Sequence, residues 1–378
     1  MKKKTLLTLG IAILMVSAYS CRASQDPNPE EAPETSVTTA EVSEVTVETT
    51  ILPTDTPSPT PTEAVEPVVD VNAPFFLSII RDAYLPVGEE FDINNYMSYI
   101  DDFDPDVTLT VGGSVDPYAV GTYPLPITIT DDAGNSSSDS VTVHVYEPDI
   151  SETTQDYSGG GSYSGTAFSD FIASYSGDDV HYGIDVSHWQ GNIDFEAVRN
   201  AGCEFVIIRA GWSSGGQFHE DDYFETNIEA ATEAGLPVGV YVYTSDNSIE
   251  DVVNLADIIC SMTEGYELRL PIVFDWESFG KFQQYSLSIA DLNALYRAFA
   301  SRIEENGRQS ILYSSKYFLE IIWDDDLGPV WLAHYTSQTD YDGPYTIWQQ
   351  SNTGLIDGID AYVDMDLYYG DLTGGPYG

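Results

Sequence analysis

The chain has 378 residues and a formal net charge of -49 at pH 7, with only 13 lysine and arginine residues against 62 aspartate and glutamate residues. This length exceeds that of one ordinary domain and favours two folded units joined by linkers. The acidic composition excludes nucleic acid as a partner, and it argues against electrostatic adhesion to anionic lipid or wall polymer.

Residues 1–20 have the pattern of a signal peptide for secretion. Three lysines at positions 2–4 precede an apolar run from Leu6 to Val16, which is too short for a stable transmembrane span. The following Ala18-Tyr19-Ser20-Cys21 resembles a bacterial lipobox, in which the cysteine becomes the lipidated first residue of the mature protein. Ordinary cleavage after Ser20 is the alternative. Lipidation of Cys21 would hold the protein at the outer face of the membrane through this anchor alone.

Residues 21–72 are rich in threonine, proline and glutamate, and such a tract cannot bury enough apolar area to fold. We expect a disordered linker that acts as a spacer. Residues 73–147 differ, because short segments such as Leu125–Thr130 and Ser140–Val145 alternate apolar and polar residues with period two. The turn Asp131-Asp132-Ala133-Gly134-Asn135 between them resembles that of bacterial Ig-like repeats on surface proteins. This segment is therefore predicted to be a small all-β Ig-like sandwich.

An acidic loop in this segment contains Asp101, Asp102, Asp104 and Asp106. Solvated carboxylates are the ordinary interpretation of such a loop, and a calcium site is the alternative. The default role of the domain is a spacer, with adhesion to sugar or protein as the second possibility.

A second linker, rich in serine and glycine, covers residues 148–180 and contains Ser158-Gly159-Gly160-Gly161-Ser162. From 181 to 371 strands and helices alternate, and residues 372–378 form a tail. Five strand and helix pairs are followed by three strands at Val330–Tyr335, Tyr345–Gln350 and Val363–Tyr368. This pattern predicts an α/β fold, an incomplete TIM-like barrel with function at the carboxyl ends of its strands.

The fourth predicted strand ends in two carboxylates one residue apart, Asp275 and Glu277. Side chains at i and i+2 leave the same face of a strand, so the two acids would project together from its carboxyl end. Paired carboxylates at a barrel mouth suit acid/base chemistry on a glycosidic bond. Solvated carboxylates at a strand end are the simpler alternative.

The other strand ends contribute acids and aromatic residues, the mixture that a sugar site needs because aromatic faces stack on pyranose rings. These residues are Asp185, Tyr241, Tyr243, Trp331, Ala333, Tyr335, Trp348, Gln349, Gln350 and Asp364.

Seven motifs in this order resemble the glycoside hydrolase family 25 lysozymes, the Chalaropsis-type muramidases. They are G-I-D-V-S-H-W-Q-G (183–191), F-V-I-I-R-A-G (205–211), P-V-G-V-Y-V-Y (237–243), P-I-V-F-D-W-E (271–277), V-W-L-A-H-Y (330–335), W-Q-Q (348–350) and V-D-M-D (363–366). The resemblance implies a (β/α)5β3 barrel that hydrolyses the β-1,4 bond between N-acetylmuramic acid and N-acetylglucosamine in peptidoglycan. The last motif departs from the more usual V-D-L-N by placing Asp366 where an asparagine is common.

The resemblance also implies roles for the acids of the site. Glu277 matches the proton donor, and Asp275 matches the carboxylate that stabilises charge or assists the substrate's acetamido group. Asp185 and Asp364 match the other two acidic positions. For this division Glu277 must be protonated and Asp275 charged at working pH, and the acids are expected to titrate as a coupled set.

Further residues have more than one interpretation. Arg209 is expected to pair with a site acid or to form a structural salt bridge, and His188 to contact substrate or bond the backbone. Trp189, Trp331 and Trp348 are sugar ledges or core residues, whereas Trp212, Trp276 and Trp323 fit packing. Cys203 and Cys260 could form a disulfide or remain free.

We therefore expect a secreted, monomeric peptidoglycan hydrolase that acts without metal or cofactor. The expected substrate-binding residues are Tyr241, Tyr243, Trp331, Tyr335, Trp348, Gln349, Arg209 and Trp189. Its only contact with a membrane would be the lipid anchor, and its partners would be peptidoglycan glycan strands. The alternative is a non-catalytic peptidoglycan-binding surface protein on the same barrel.

Overall fold

The computed structural model describes residues 70–148, 165–175, 177 and 179–372. The signal peptide, Cys21 and nearly all of the 21–72 linker lie outside this range, as do most of the glycine-rich linker and the end of the tail. Among the described residues, no helix is both long and apolar enough to cross a bilayer.

The amino-terminal part of the described chain is an all-β domain, as the sequence predicts. Its strands are β1 (Phe75–Ile79), β2 (Asp82–Pro86), β3 (Met97–Ile100), β4 (Thr108–Val111), β5 (Gly121–Thr130) and β6 (Ser136–Tyr146). One sheet has the order β2-β6-β5-β4, and β1 pairs with β3 in a second, two-stranded sheet. Alternate residues of β5 and β6, among them Ile127, Ile129, Val141 and Val143, are buried in the core.

The carboxyl-terminal part is the predicted α/β barrel. Its strands are β7 (Thr166–Ala167), β8 (His181–Val186), β9 (Phe205–Ser214), β10 (Gln217–Glu220), β11 (Val238–Thr244), β12 (Leu268–Trp276), β13 (Ser310–Ser315), β14 (Val330–Ala333), β15 (Tyr345–Leu355) and β16 (Val363–Tyr368). Its helices are α1 (Phe168–Ser174), α2 (Phe195–Asn200), α3 (Phe224–Glu233), α4 (Ile249–Met262), α5 (Phe282–Tyr285), α6 (Ile289–Glu305) and α7 (Lys316–Ile321).

Eight of these strands close the barrel in the order β8-β9-β11-β12-β13-β14-β15-β16, with β16 returning to β8. Neighbours from β8 to β15 are parallel, whereas β16 is antiparallel to both β15 and β8. This reversal was not predicted. Because β16 runs the other way, its first residues lie at the same mouth as the carboxyl ends of the parallel strands.

Two hydrophobic layers hold the barrel together. One lies between the strands and the surrounding helices and includes Phe274 and Phe299. The other fills the lumen with residues such as Phe205, Val273 and Trp331. Gly183 keeps this inner packing possible, because a Cβ atom there would overlap the Phe205 ring. The lumen below the mouth is therefore packed, as in other barrels of this type.

The prediction that residues 148–180 form a linker is wrong for the last part of that range. Residues 168–174 form helix α1, and β7 before it pairs with β15. Phe168 and Phe171 are buried in the barrel core, so this segment gains apolar burial that offsets its ordering entropy. The hairpin between β9 and β10 was also not predicted.

The Ig-like domain contacts the barrel directly. Leu77 and Ile100 are buried in the barrel's outer core. The Tyr317 hydroxyl donates to the Leu77 carbonyl at 3.1 Å, and the Ile289 amide at the start of α6 donates to the Asp101 carbonyl at 3.0 Å.

Cys203 and Cys260 are both free thiols, so the disulfide that the sequence allowed between them is not formed.

Candidate active site

The period of two along the strands decides which side chains enter the lumen. Asp275 lies on β12 between Tyr243 of β11 and Tyr313 of β13 in the strand register. Asp185 near the end of β8 lies opposite Asp364 near the start of β16. The structure thus brings together the four predicted acids, and Asp364 reaches this mouth only because β16 is antiparallel.

Asp275 and Glu277 form the centre of the candidate site. Asp275 is buried, and its Oδ1 has no hydrogen-bond partner among the described residues. Glu277 follows β12 and has an exposed side chain, although protein atoms surround it closely enough to desolvate its carboxyl. The two carboxyls lie close enough for each to affect the pKa of the other. Glu277 is therefore the member of the pair that is open to solvent at the barrel mouth.

Both members of this pair hold protons more strongly than ordinary carboxyls. Burial raises the pKa of Asp275 well above its usual range, and the Glu277 charge raises it further. Burial also raises the pKa of Glu277. The pKa rises more at Asp275 than at Glu277 because Asp275 is the more deeply enclosed of the two. This result differs from the expectation that Asp275 is charged. Because each carboxyl affects the pKa of the other, the two titrate as a pair rather than as independent acids.

A hydrogen-bonded network fixes the opposite wall. Gln349 Nε2 donates to Asp185 Oδ2 at 2.8 Å, and Gln349 Oε1 accepts from the hydroxyls of Tyr313 at 2.8 Å and Tyr335 at 2.9 Å. Tyr313 was missed by the sequence analysis. Its position two residues after the buried Ile311 on a barrel strand is a signal that could have found it. Gln349 is an orienting residue for Asp185 rather than an open binding group.

Asp366 is a fifth acid, one layer deeper in the lumen. It is fully buried, it contacts Asp185, and its Oδ1 accepts from Trp331 Nε1 at 2.8 Å. Its Oδ2 has no hydrogen-bond partner among the described residues. Burial, followed by the Asp364 charge, raises the pKa of Asp366 well above the usual range. Burial and the Asp366 charge also raise the pKa of Asp185 well above its usual range.

Arg209 does not bond to any of the four predicted acids. Its Nε donates to Asp221 Oδ2 at 2.7 Å, and its guanidinium also contacts His188 Nδ1. Asp221 is buried and accepts from the His188 backbone amide at 3.1 Å. Sequence analysis missed Asp221, which lies in the loop between β10 and α3. The Arg209 charge still lowers the pKa of Asp275 somewhat, against the larger effect of burial.

The aromatic residues divide into open and buried sets. Trp189 and Tyr335 are each 53% exposed, and Tyr241 and Tyr243 are partly exposed at the mouth. Trp331 is only 1% exposed. Trp348 lies on the outer face of β15, is 4% exposed, and donates from its ring nitrogen to the His334 carbonyl. The burial of these two rings fits core residues, the second of the two interpretations that the sequence allows, better than sugar ledges.

Trp212 differs from its predicted packing role. It is 42% exposed and stacks on His219 across the β9–β10 hairpin, with ring centroids 4.1 Å apart. Trp276 and Trp323 are buried as expected.

Comparisons with known proteins identify a family for each of the two domains. Residues 184–359 match the model of the glycosyl hydrolases family 25, and residues 79–145 match that of the bacterial surface protein Ig-like domain. Lysozyme M1 of Streptomyces globisporus is 30% identical over 206 residues, which cover 50% of this chain and 67% of that protein. The uncharacterized protein YegX of Escherichia coli K12 is 31% identical over 217 residues, which cover 53% of this chain and 72% of that protein.

This chain belongs to glycosyl hydrolase family 25. Among solved structures, a bacterial lysozyme from Streptomyces coelicolor is 27% identical, with a TM-score of 0.43, and the match covers 50% of this chain and 93% of that one.

In this family 25 chain, the buried carboxyl of Asp366 is expected to lower the stability of the fold, and this expectation can be tested. Because the folded-state pKa values of Asp366 and Asp185 are raised, the contribution of these two groups to stability is most favourable below the ordinary carboxyl pKa of about 3.9 and is lost as pH rises through the raised values. Asp366→Asn keeps an acceptor for Trp331 and supplies a donor for Asp185. We expect it to raise the midpoint of thermal unfolding by a few degrees at about pH 7 and by less at about pH 5.

The matched control is Asp360→Asn, because Asp360 is an exposed acid in the loop before β16. Differential scanning calorimetry on the full chain measures both variants. A gain for Asp366→Asn that is equal at both pH values, or equal to the gain for Asp360→Asn, would contradict the buried-charge explanation.

Proposed function

We propose that this chain is an N-acetylmuramidase, a lysozyme that hydrolyses the β-1,4 bond between N-acetylmuramic acid and N-acetylglucosamine in peptidoglycan. The observation that carries the proposal is the carboxyl pair at the barrel mouth, with the exposed Glu277 above the buried Asp275. Membership in family 25 and the similarity to Lysozyme M1 support it.

The pair has what glycosidic cleavage requires, one transferable proton and one negative charge. Glu277 is the proton donor because its carboxyl is the one that a glycosidic oxygen can approach. Glycan binding over the mouth would displace water from Glu277 and move the transferable proton towards it. Asp275 then carries the charge that stabilises the cation developing at the sugar carbon.

Water is the only reactant needed besides the glycan and the carboxyl pair. The Glu277 proton goes to the glycosidic oxygen as the bond from that oxygen to the anomeric carbon breaks. Water supplies the hydroxyl group of the new reducing end, and its remaining proton returns to the carboxyl pair. Asp185 and Asp364 lie beside the pair, where each adds negative potential near the cation when it is ionised, and Gln349 holds Asp185 in place.

Open aromatic side chains support a polysaccharide substrate. Tyr241, Tyr243, Tyr335 and Trp189 offer ring surface around the acids, and such rings stack on pyranose faces. The large negative charge of the chain disfavours binding through anionic wall polymers, so contacts with the neutral parts of the glycan are expected to dominate.

The experiment that tests this function is incubation of the full chain with purified, insoluble peptidoglycan. A muramidase releases soluble fragments in proportion to time and enzyme concentration. Sedimentation of the protein with peptidoglycan, without release of fragments, would instead identify a non-catalytic binding protein on the same barrel.

We also propose that the protein acts at the cell surface, anchored by a lipid on Cys21 and carried into the wall by the 21–72 spacer. Metabolic labelling with a radioactive fatty acid is expected to mark the wild type and to leave Cys21→Ala unlabelled. Cys260→Ala, which removes another free thiol, should label like the wild type. Labelling that is equal in wild type and Cys21→Ala, or missing from both, would exclude the lipoprotein.

A further inference from the structure

A second cluster of acids lies outside the barrel, where the Ig-like domain meets helix α6. Single carboxylate oxygens of Asp70, Asp101 and Asp102 lie within 4.8 Å of one another. A second group, Asp70, Asp104 and Asp131, meets the same limit and shares Asp70. Oxygen atoms that bind one Ca²⁺ at about 2.4 Å lie no more than about 4.8 Å apart, so this spacing fits a shared ion.

Each acid of the first group uses one oxygen for protein contacts and leaves the other without a partner. Asp101 Oδ1 accepts from the amides of Phe103 and Asp104, both at 2.8 Å. Asn72 completes the arrangement, because its amide donates to Asp70 Oδ1 at 3.0 Å and its Nδ2 donates to Asp102 Oδ2 at 2.6 Å. These bonds fix the orientation of all three carboxylates.

The remaining oxygens are Asp70 Oδ2, Asp101 Oδ2 and Asp102 Oδ1, which are buried and have no hydrogen-bond partner among the described residues. Asp101 as a whole is 0% exposed. An unpaired buried carboxylate oxygen is costly, and three in one place are far more costly. This observation, independent of the clustering, indicates that a cation belongs there.

The second group of acids, which contains Asp104 and Asp131, is less available to bind an ion. Both oxygens of Asp131 already accept from Asn135, at 2.7 and 2.9 Å, and Asp104 Oδ2 accepts from the Asp132 amide at 3.0 Å. These bonds hold the surrounding loop and make the first group the better ion site.

Nearby positive charge from the protein backbone is too small to balance these acids. The Ile289 amide donates to the Asp101 carbonyl and the Ala290 amide to the Asp102 carbonyl, so the loop covers the amino terminus of α6. A helix amino terminus supplies only about half a positive charge, whereas three ionised carboxylates carry three negative charges.

We propose that Asp70, Asp101 and Asp102 bind one calcium ion, which stabilises the docking of the Ig-like domain on helix α6. Three oriented carboxylates with additional water ligands suit Ca²⁺, whereas Mg²⁺ requires a tighter octahedral site and retains its own water shell more strongly. Affinity in the range of extracellular modules, with a dissociation constant of about 0.1–1 mM, is expected. This site is independent of the proposed muramidase activity.

The binding test is isothermal titration calorimetry of the chelator-treated full chain with CaCl2. We expect one saturable site in the wild type and a loss of affinity of about tenfold or more in Asp101→Asn. The matched control is Asp106→Asn, because Asp106 is an exposed acid of the same loop outside both groups, and it should bind like the wild type. Weak binding to the rest of this acidic surface should be suppressed by salt and should be the same in all three proteins.

Thermal unfolding separates a lost site from a damaged fold. Without calcium, Asp101→Asn should unfold at or above the wild-type temperature, because asparagine keeps the acceptor for the Phe103 and Asp104 amides and removes one repelling charge. With CaCl2 at about 100 times the dissociation constant, the wild type and Asp106→Asn should gain about 5 °C and Asp101→Asn almost nothing. The same concentration of MgCl2 should give a much smaller gain.

Hydrogen exchange tests the location. Added CaCl2 should slow exchange of the Ile289 and Ala290 amides in the wild type and leave it unchanged in Asp101→Asn. The proposal is overturned if no saturable site appears in the wild type, if Asp101→Asn binds and is stabilised equally, or if MgCl2 acts as strongly as CaCl2.

Discussion

Glu277→Gln is expected to lower turnover of peptidoglycan roughly 10²–10⁴-fold, the range for loss of a general acid. Glutamine keeps the size and polarity of the side chain but cannot transfer a proton. Because the residue is exposed at the barrel mouth, the fold should be unaffected, and the variant should still sediment with insoluble peptidoglycan. Release of soluble fragments measures the loss, and co-sedimentation measures the binding.

The control for this substitution is Glu264→Gln, which makes the same change at an exposed turn after helix α4. It should retain wild-type turnover. Near-wild-type turnover in Glu277→Gln would place the proton donor elsewhere in the barrel, and loss of co-sedimentation would show that the substitution disturbs binding rather than proton transfer.

Asp275→Asn is expected to reduce turnover by about 10²–10³-fold, because it removes the charge that meets the developing cation. Release of soluble fragments measures the loss on peptidoglycan, and a substrate with an activated leaving group measures the residual activity of the variant.

The same substrate separates the two roles. An activated leaving group needs little protonation, so it should restore Glu277→Gln far more than Asp275→Asn. The opposite order of rescue would exchange the roles of the two residues. Equal rescue would mean that the proton of the pair, rather than either position, determines the rate.

The parts of the site that follow from local periodicity could be predicted from sequence. Asp275 and Glu277 are two residues apart on a strand, so their common direction needs no knowledge of the rest of the fold. The barrel follows in the same way from alternating strands and helices, and the all-β domain from period-two segments.

The parts that depend on strand direction and tertiary packing could not be predicted in this way. Asp364 was assigned to the correct mouth, yet the reason is the antiparallel direction of β16, which no local pattern reveals. Trp348 lies next to Gln349 in sequence but on the opposite face of β15, so it packs outside the lumen. Asp221 pairs with Arg209 across a loop, and such a pairing is set by tertiary contacts.

Helix α1 shows the same limit at a domain boundary. Its apolar residues Phe168, Phe171 and Ile172 have helical spacing, but seven residues beside a serine- and glycine-rich tract are too few for a firm prediction, and the burial of Phe168 and Phe171 against the barrel is what separates the two. Burial against a distant surface is a tertiary property that overrides local composition.

The measurement that tests the central claim most directly is mass spectrometry of the reducing ends in a peptidoglycan digest, with wild type and Glu277→Gln in parallel. The proposed chemistry predicts fragments that end in reducing N-acetylmuramic acid, produced by the wild type and nearly missing from the variant digest. Reducing N-acetylglucosamine ends, or cleavage confined to the stem peptides, would contradict the assignment of the bond.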